Sequence, residues 1–257
     1  ARAVSSGLQS LAVGAAATSS GVFSTAVGNF ASASGQQSHA FGDSASASAM
    51  FAIAIGSSSV SSSTSSVAIG AGSTTATLGS TPSGAASLGT AVAIGNQAKA
   101  TQEDAVALGD LANASGFHAT AIGGESVASG VGSQAFGWQA NSSGRTAVAV
   151  GHQANAAGLE ATSVGKSTQA GGANATAVGS RANASGVNSL AAGNAAAAAG
   201  INSIAIGNNA VTADGTTPSG AASTGTAVAI GNGARGTAED AVALGDLANA
   251  SGFHATA

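Results

Sequence analysis

The stretch Gly200–Gly207, GINSIAIG, decides how the whole chain is read. Alone it is a short apolar run between two glycines. It returns, altered, as GVNSLAAG at Gly186–Gly193, GANATAVG at Gly172–Gly179 and GFHATAIG at Gly116–Gly123. A glycine closes an S/A-x-A/S-x-G unit at positions 14, 28, 42, 56 and 70, again at 95, 109, 123, 137, 151, 165, 179, 193 and 207, and at 231 and 245. Thirteen of the fifteen steps between these glycines are 14 residues long; the other two are 25 and 24. A fixed period of this kind is the mark of a repeat architecture.

Within each unit the apolar pattern has period two, which predicts a strand. Ala or Ser stands two and four residues before the closing glycine, as at Ala205 and Ser203. Larger branched residues stand one and three before it, giving the pairs Val92 and Ile94, Val106 and Leu108, Ile204 and Ile206, and Val228 and Ile230. Alternate side chains of a strand point to opposite faces, so this strand has a small face and a branched apolar face. After the glycine the motif softens to x-x-A-x-A-x-G, as in Ala112, Ala114 and Gly116. The alternate positions there are polar, as in Asn113 and Ser115 or Asn183 and Ser185. This second strand is half solvated.

Composition closes off other folds. Aromatic residues are 3% of the 257, charged residues 6%, and 39 residues are glycine. Alanine makes up most of the hydrophobic count and buries too little area to build a broad core against the cost of ordering the backbone. Disorder goes with high charge and low hydrophobicity, and this chain has neither. A helical heptad is excluded because glycine recurs every seventh residue over much of the chain, at about 1 kcal/mol each in a helix interior. The absence of cysteine rules out disulfides and thiolate metal sites. Six Lys and Arg residues without a cluster exclude a nucleic-acid footprint. No apolar run is long enough to span a membrane as a helix.

Two short strands and two tight turns per 14 residues make one coil. Stacked coils make two parallel sheets around a flattened tube lined by Ala and Ser: an all-β, parallel β-solenoid. Sixteen coils at about 4.8 Å each predict a rod about 75 Å long. The branched face cannot enter the tube, and a continuous apolar stripe marks an interface. The chain is therefore expected to self-associate along its axis around a shared apolar core.

Residues 81–121 and 217–257 are near copies, identical at 36 of 41 positions. Both begin within the two long steps, which predict insertions around 71–90 and 208–226 in a single domain covering 1–257. Pro82 and Pro218 interrupt any strand ladder, so the insertions read as projecting loops. Pro82, Ser83, Pro218 and Ser219 are the candidate ligand contacts there, although an insertion tolerated at a turn is the plainer account, since nothing in TTPSG is chemically distinctive. The chain begins and stops partway through repeats and reads as part of a longer protein.

On GINSIAIG, GVNSLAAG and the 14-residue spacing, nearly the whole chain resembles the YadA-like head of trimeric autotransporter adhesins. The resemblance implies a left-handed parallel β-roll and a homotrimer whose branched strand residues face the trimer interior. It implies display on the surface of a Gram-negative bacterium, with adhesion to host extracellular matrix or cell-surface molecules and self-aggregation. The family's stalk heptads and outer-membrane anchor are not found in this sequence, so membrane attachment belongs to the parent protein.

Rival chemistries lack their residues. GNGARG at Gly231–Gly236 fits G-x-G-x-x-G, but dinucleotide binding needs a helix to follow, and another repeat follows instead. Hexapeptide β-helix acyltransferases repeat every six residues and need a placed histidine. His39, His118, His152 and His254 have no fixed carboxylate neighbour in sequence and read as surface residues. Glu103–Asp104 and Glu239–Asp240 are the acidic pairs, read as solvated turns. The expectation is a non-enzymatic protein without cofactor or metal, an adhesin head or else a structural spacer. Exposed Trp138 and Phe30 are the candidate aromatic contacts.

Overall fold

The structure, a computed structural model, describes residues 2–76, 89–213 and 226–257. Pro82, Ser83, Pro218 and Ser219 lie outside the described residues. The chain divides into two compact units, Ala1–Gly132 and Ser133–Ala257. Each is a parallel β-solenoid of 14-residue coils, and the described residues contain strands but no helix.

In the first unit, three-residue strands run from Leu11–Val13 to Thr120–Ile122 and pair in parallel register, with each residue opposite its equivalent in the next coil. Two-residue strands from Val4–Ser5 to Val127–Ala128 form the other sheet. The second unit repeats this with Gln134–Phe136 to Val242–Leu244 and Asn141–Ser142 to Asn249–Ala250. The long steps leave both ladders intact. Val67 pairs with Val92 across 25 residues, and Ile204 pairs with Val228 across 24.

Four small residues per coil fill the interior, as Ser203, Ala205, Ala210 and Thr212 do, each at most 1% exposed. Every buried apolar side chain among the described residues is alanine, and the largest fully buried side chains are threonines. Most buried hydroxyls are satisfied locally, although those of Ser38, Ser63 and Ser133 have no hydrogen-bond partner among the described residues. Ser24, Ser66 and Ser189 each donate to the carbonyl three residues earlier, at 2.7 Å. Hydroxyls also meet across the tube, at 2.6 Å for Ser61 and Ser66 and 2.8 Å for Ser163 and Thr168. Neutral pairs of this kind cost little where both partners are supplied.

The two turns of a coil place different demands on the backbone. Each closing glycine takes a φ between 120° and 141°. A side chain there would also strike the next coil: a Cβ on Gly179 would lie 2.6 Å from the Gly193 carbonyl oxygen. Two residues after each turn's opening position the chain enters the left-handed region, and among the described residues 28 that are not glycine do so with φ of 52–59°. Strain of this sort costs on the order of 1 kcal/mol or more per residue. Hydrogen bonds to the preceding coil offset it, as from Gly207 N to Ala192 O at 2.8 Å and from Asn209 N to Asn194 O at 2.9 Å. At about 0.5–1.5 kcal/mol net for each bond, a turn holds its shape only when stacked on a neighbour.

Two measurements check this account. Gly179→Ala is expected to lower stability by about 2 kcal/mol or more, whereas Gly171→Ala, with nothing within 4 Å of its Cβ position, changes it little; thermal denaturation of both variants separates them. Ala177→Ser, in register with Ser163, buries an unpaired hydroxyl at a cost of about 1–2 kcal/mol. Adding Ala182→Thr recreates the Ser163–Thr168 pair, so a double-mutant cycle in urea should show favourable coupling of about 0.5–1 kcal/mol.

Candidate interaction surface

With the interior closed to anything larger than threonine, every bulky side chain among the described residues lies outside, arranged in rows by the coil repeat. The first row is the outward face of the three-residue strands. It carries all eight branched residues singled out by the sequence. Register brings Val92 beside Val106 and Ile94 beside Leu108 in the first unit. In the second it brings Ile204 beside Val228 and Ile206 beside Ile230. These side chains are half-buried by their neighbours, and Ile94 and Ile230 remain 39% exposed. A lone chain therefore leaves an apolar face in water in each unit.

The second row was not legible from the S-x-A-x-G motif. It lies on the turn that leads into the three-residue strand, and it includes Leu8, Val22, Phe23, Met50, Phe51 and Leu159, all exposed. The signal is the apolar residue that often follows the second glycine of the repeat, as in Gly158-Leu159 or Gly200-Ile201. In the first unit this row and the strand face border an open groove of about 430 Å³, lined by Phe23, Gln37, His39, Phe51 and Ile53. The apolar surface thus extends from the strand around one turn.

The opposite turn, which holds the closing glycine, is polar. Side-chain amides stack there at the coil spacing. Asn194 donates to Asn208, Asn208 to Asn232 and Asn232 to Asp246, at 2.8–2.9 Å. Each amide has a donor and an acceptor and can pass the pattern along the stack. Trp138 and Phe30 stand on this turn, 47% and 60% exposed. The Trp138 ring packs against that of His152, with centroids 4.8 Å apart.

The histidines require one correction. His118 and His254 do have carboxylate partners: Nε2 of His118 lies 3.6 Å from Asp104, and Nδ1 of His254 lies 3.8 Å from Asp240. The partners are 14 residues apart in sequence, hence neighbours only through the stack. Thr90 and Thr226 hydroxyls donate to the same aspartates. Beside them one carboxylate oxygen each of Glu103 and Glu239 is buried without a hydrogen-bond partner among the described residues. The acidic pairs do occupy turns, as expected, but only partly solvated ones. Exposed pairs of this kind add at most about 1 kcal/mol. Gly231–Gly236 forms a turn and the two-residue strand Arg235–Gly236, so it lacks the helix N-terminus that a pyrophosphate needs. Among the described residues no group of three or more His, Asp or Glu side chains is placed to hold a metal.

The chain also resembles known proteins. The profile of the YadA head domain repeat (2 copies) matches residues 5–31, 33–59, 90–112, 114–140, 142–168, 156–182, 184–210 and 237–257. No curated protein sequence matches the chain. The crystal structure of the collagen-binding domain of the Yersinia adhesin YadA is similar over 74% of this chain and 79% of its own, at 22% identity and a TM-score of 0.27. The profile matches most of the coils; the chain belongs to the YadA head domain repeat family of bacterial surface adhesins.

Proposed function

We propose that the chain is a non-enzymatic adhesin head that assembles as a homotrimer and attaches a bacterium to host extracellular matrix or cell-surface molecules, and to other copies of itself. One observation carries the reading: each coil spends its interior on Ala, Ser and Thr and turns its branched residues outward. Covering a half-exposed Ile or Val row with the same row of two other chains removes it from water at about 25 cal/mol per Å². Rotational symmetry brings identical rows together, and the residues assigned to that core are Val92, Ile94, Val106, Leu108, Ile204, Ile206, Val228 and Ile230. The polar turns and two-residue strands then form the outer surface. Three chains and many similar coils multiply weak contacts into useful avidity. The parent protein is expected at the cell surface, anchored in the outer membrane.

A spacer that only extends a fibre is the second reading, favoured by the uniformity of the coils. Binding to immobilised collagen, fibronectin and laminin separates the two; a trimer that binds none of them, with or without the inserted segments carrying Pro82, Ser83, Pro218 and Ser219, is a spacer. Assembly has its own test. Light scattering should give three chain masses for the unaltered protein. Ile206→Asp should reduce it to monomer or aggregate, while Asn183→Asp, on the exposed polar row, should remain trimeric. A stable monomer of the unaltered chain overturns the shared core.

A further inference from the structure

On the closing-glycine turn of the second unit, four successive coils place Trp138, His152, Lys166 and Ser180 at one position and Gln139, Gln153, Ser167 and Arg181 at the next. Parallel coils repeat at about 4.8 Å, so this is a row of different functional groups at regular intervals. It begins with an exposed indole, steadied by the His152 ring. The Nδ1 atom of His152 is buried and has no hydrogen-bond partner among the described residues. Gln153 donates to Gln139 at 2.9 Å, holding two amides side by side next to the indole. Lys166 and Arg181 are exposed, and neither side chain makes a hydrogen bond or ion pair among the described residues.

Charge marks this stretch off from the rest of the molecule. The sequence carries a net charge of −4. Between Gly137 and Arg181, however, its one carboxylate is Glu160, which stands on the opposite turn of its coil, beside Arg145 in the preceding coil. The closing-glycine turn is thus locally cationic, with amides and hydroxyls between the cations and the indole.

We propose that this row, Trp138, His152, Gln153, Lys166 and Arg181, binds an acidic saccharide: a linear chain of pyranose rings bearing carboxylate or sulfate, laid along the stack of coils. An exposed indole offers a flat apolar face to the C–H face of a sugar ring. Planar amides and an imidazole supply donors and acceptors for hydroxyls. The ammonium of Lys166 and the guanidinium fork of Arg181, two and three coils further on, meet anionic groups carried by the following sugars. Two cations are too few for the phosphate contacts that hold a nucleic acid, and the amides and hydroxyls between them suit a ligand rich in hydroxyls. Each chain binds weakly at such an open surface, and several copies add avidity. The site deepens the adhesive reading and rests on it, while remaining independent of the trimer and matrix-protein measurements. A trimer that binds collagen but no saccharide would remove this site alone.

The sequence contains one tryptophan, so indole emission reports on the site directly. The full chain is titrated with a heparin hexasaccharide, with 3′-sialyllactose, with lactose, with sodium sulfate and with a short oligothymidylate. A saturable change with the heparin hexasaccharide, with 3′-sialyllactose or with both, weakened by added salt, is expected; which of the two responds assigns sulfate or carboxylate as the anion read. Lys166→Gln with Arg181→Gln should weaken that response about tenfold or more without altering the circular dichroism spectrum. Trp138→Ala should lose retention on immobilised heparin. The proposal is overturned by silence towards both acidic saccharides, by an equal response to lactose or sulfate, by tighter binding of the oligothymidylate, or by unchanged affinity in the double variant.

Discussion

The width of the coil interior governs everything else in this molecule. Two strands joined by tight turns approach so closely that Ala, Ser and Thr alone fit between them. A buried methyl contributes about 0.8 kcal/mol, whereas ordering one residue's backbone costs about 1–2 kcal/mol. One coil cannot therefore hold itself together. Its hydrogen bonds run mostly to the coils above and below, and the left-handed turn residues are tolerable because those bonds fix them. Stability in such a stack is a sum over neighbouring coils, so regularity of the repeat is a physical requirement.

The same constraint decides what the surface is. A globular protein hides its branched residues and shows its polar ones; this chain has no interior in which to hide them. Ile204, Ile206, Val228 and Ile230 are outside because nowhere inside is wide enough. The coil period then sorts outward residues into rows, since equivalent positions of successive coils lie beside each other. An apolar strand face, an apolar turn and a polar turn follow from where branched, aromatic and amide residues fall within the 14. Chemistry on such a scaffold consists of rows of side chains, and any ligand it takes must accept groups spaced by the coil.

The strand faces were readable because period two and the closing glycine act together. Once Ala205 is assigned to the inside, Ile204 and Ile206 must face outward. The left-handed turn residues were not readable from composition. Phe23, Gln37 and His118 are ordinary residues at positions of positive φ, held there by backbone bonds to another coil that no local propensity records. The His118–Asp104 contact was hidden for a related reason. Sequence reading looks for partners at one to four residues, whereas a solenoid makes neighbours of residues 14 apart. The apolar turn carrying Leu159 and Ile201 escaped because turn positions are usually scanned for polar residues and glycine.

The internal duplication shows how local the folding constraint is. Of the five differences between 81–121 and 217–257, four fall on described residues: Gln97 against Gly233, Lys99 against Arg235, Ala100 against Gly236, and Gln102 against Ala238. The first keeps positive φ, 53° in one copy and 65° in the other. The second keeps its charge on an exposed position. The third removes an interior methyl, and the Gly236 backbone has settled so that a Cβ there would lie 2.9 Å from the Val228 carbonyl oxygen. A one-carbon change at the most restricted kind of position is thus absorbed within a coil, and the paired strands on either side stay in register. Meanwhile Val92 and Val228, Ile94 and Ile230, and Leu108 and Leu244 match across the copies, although no contact inside the tube requires their shape. Their apolar character leaves the same outward face in both copies, and such a face in water is the one feature of the coil that its own interior does not use.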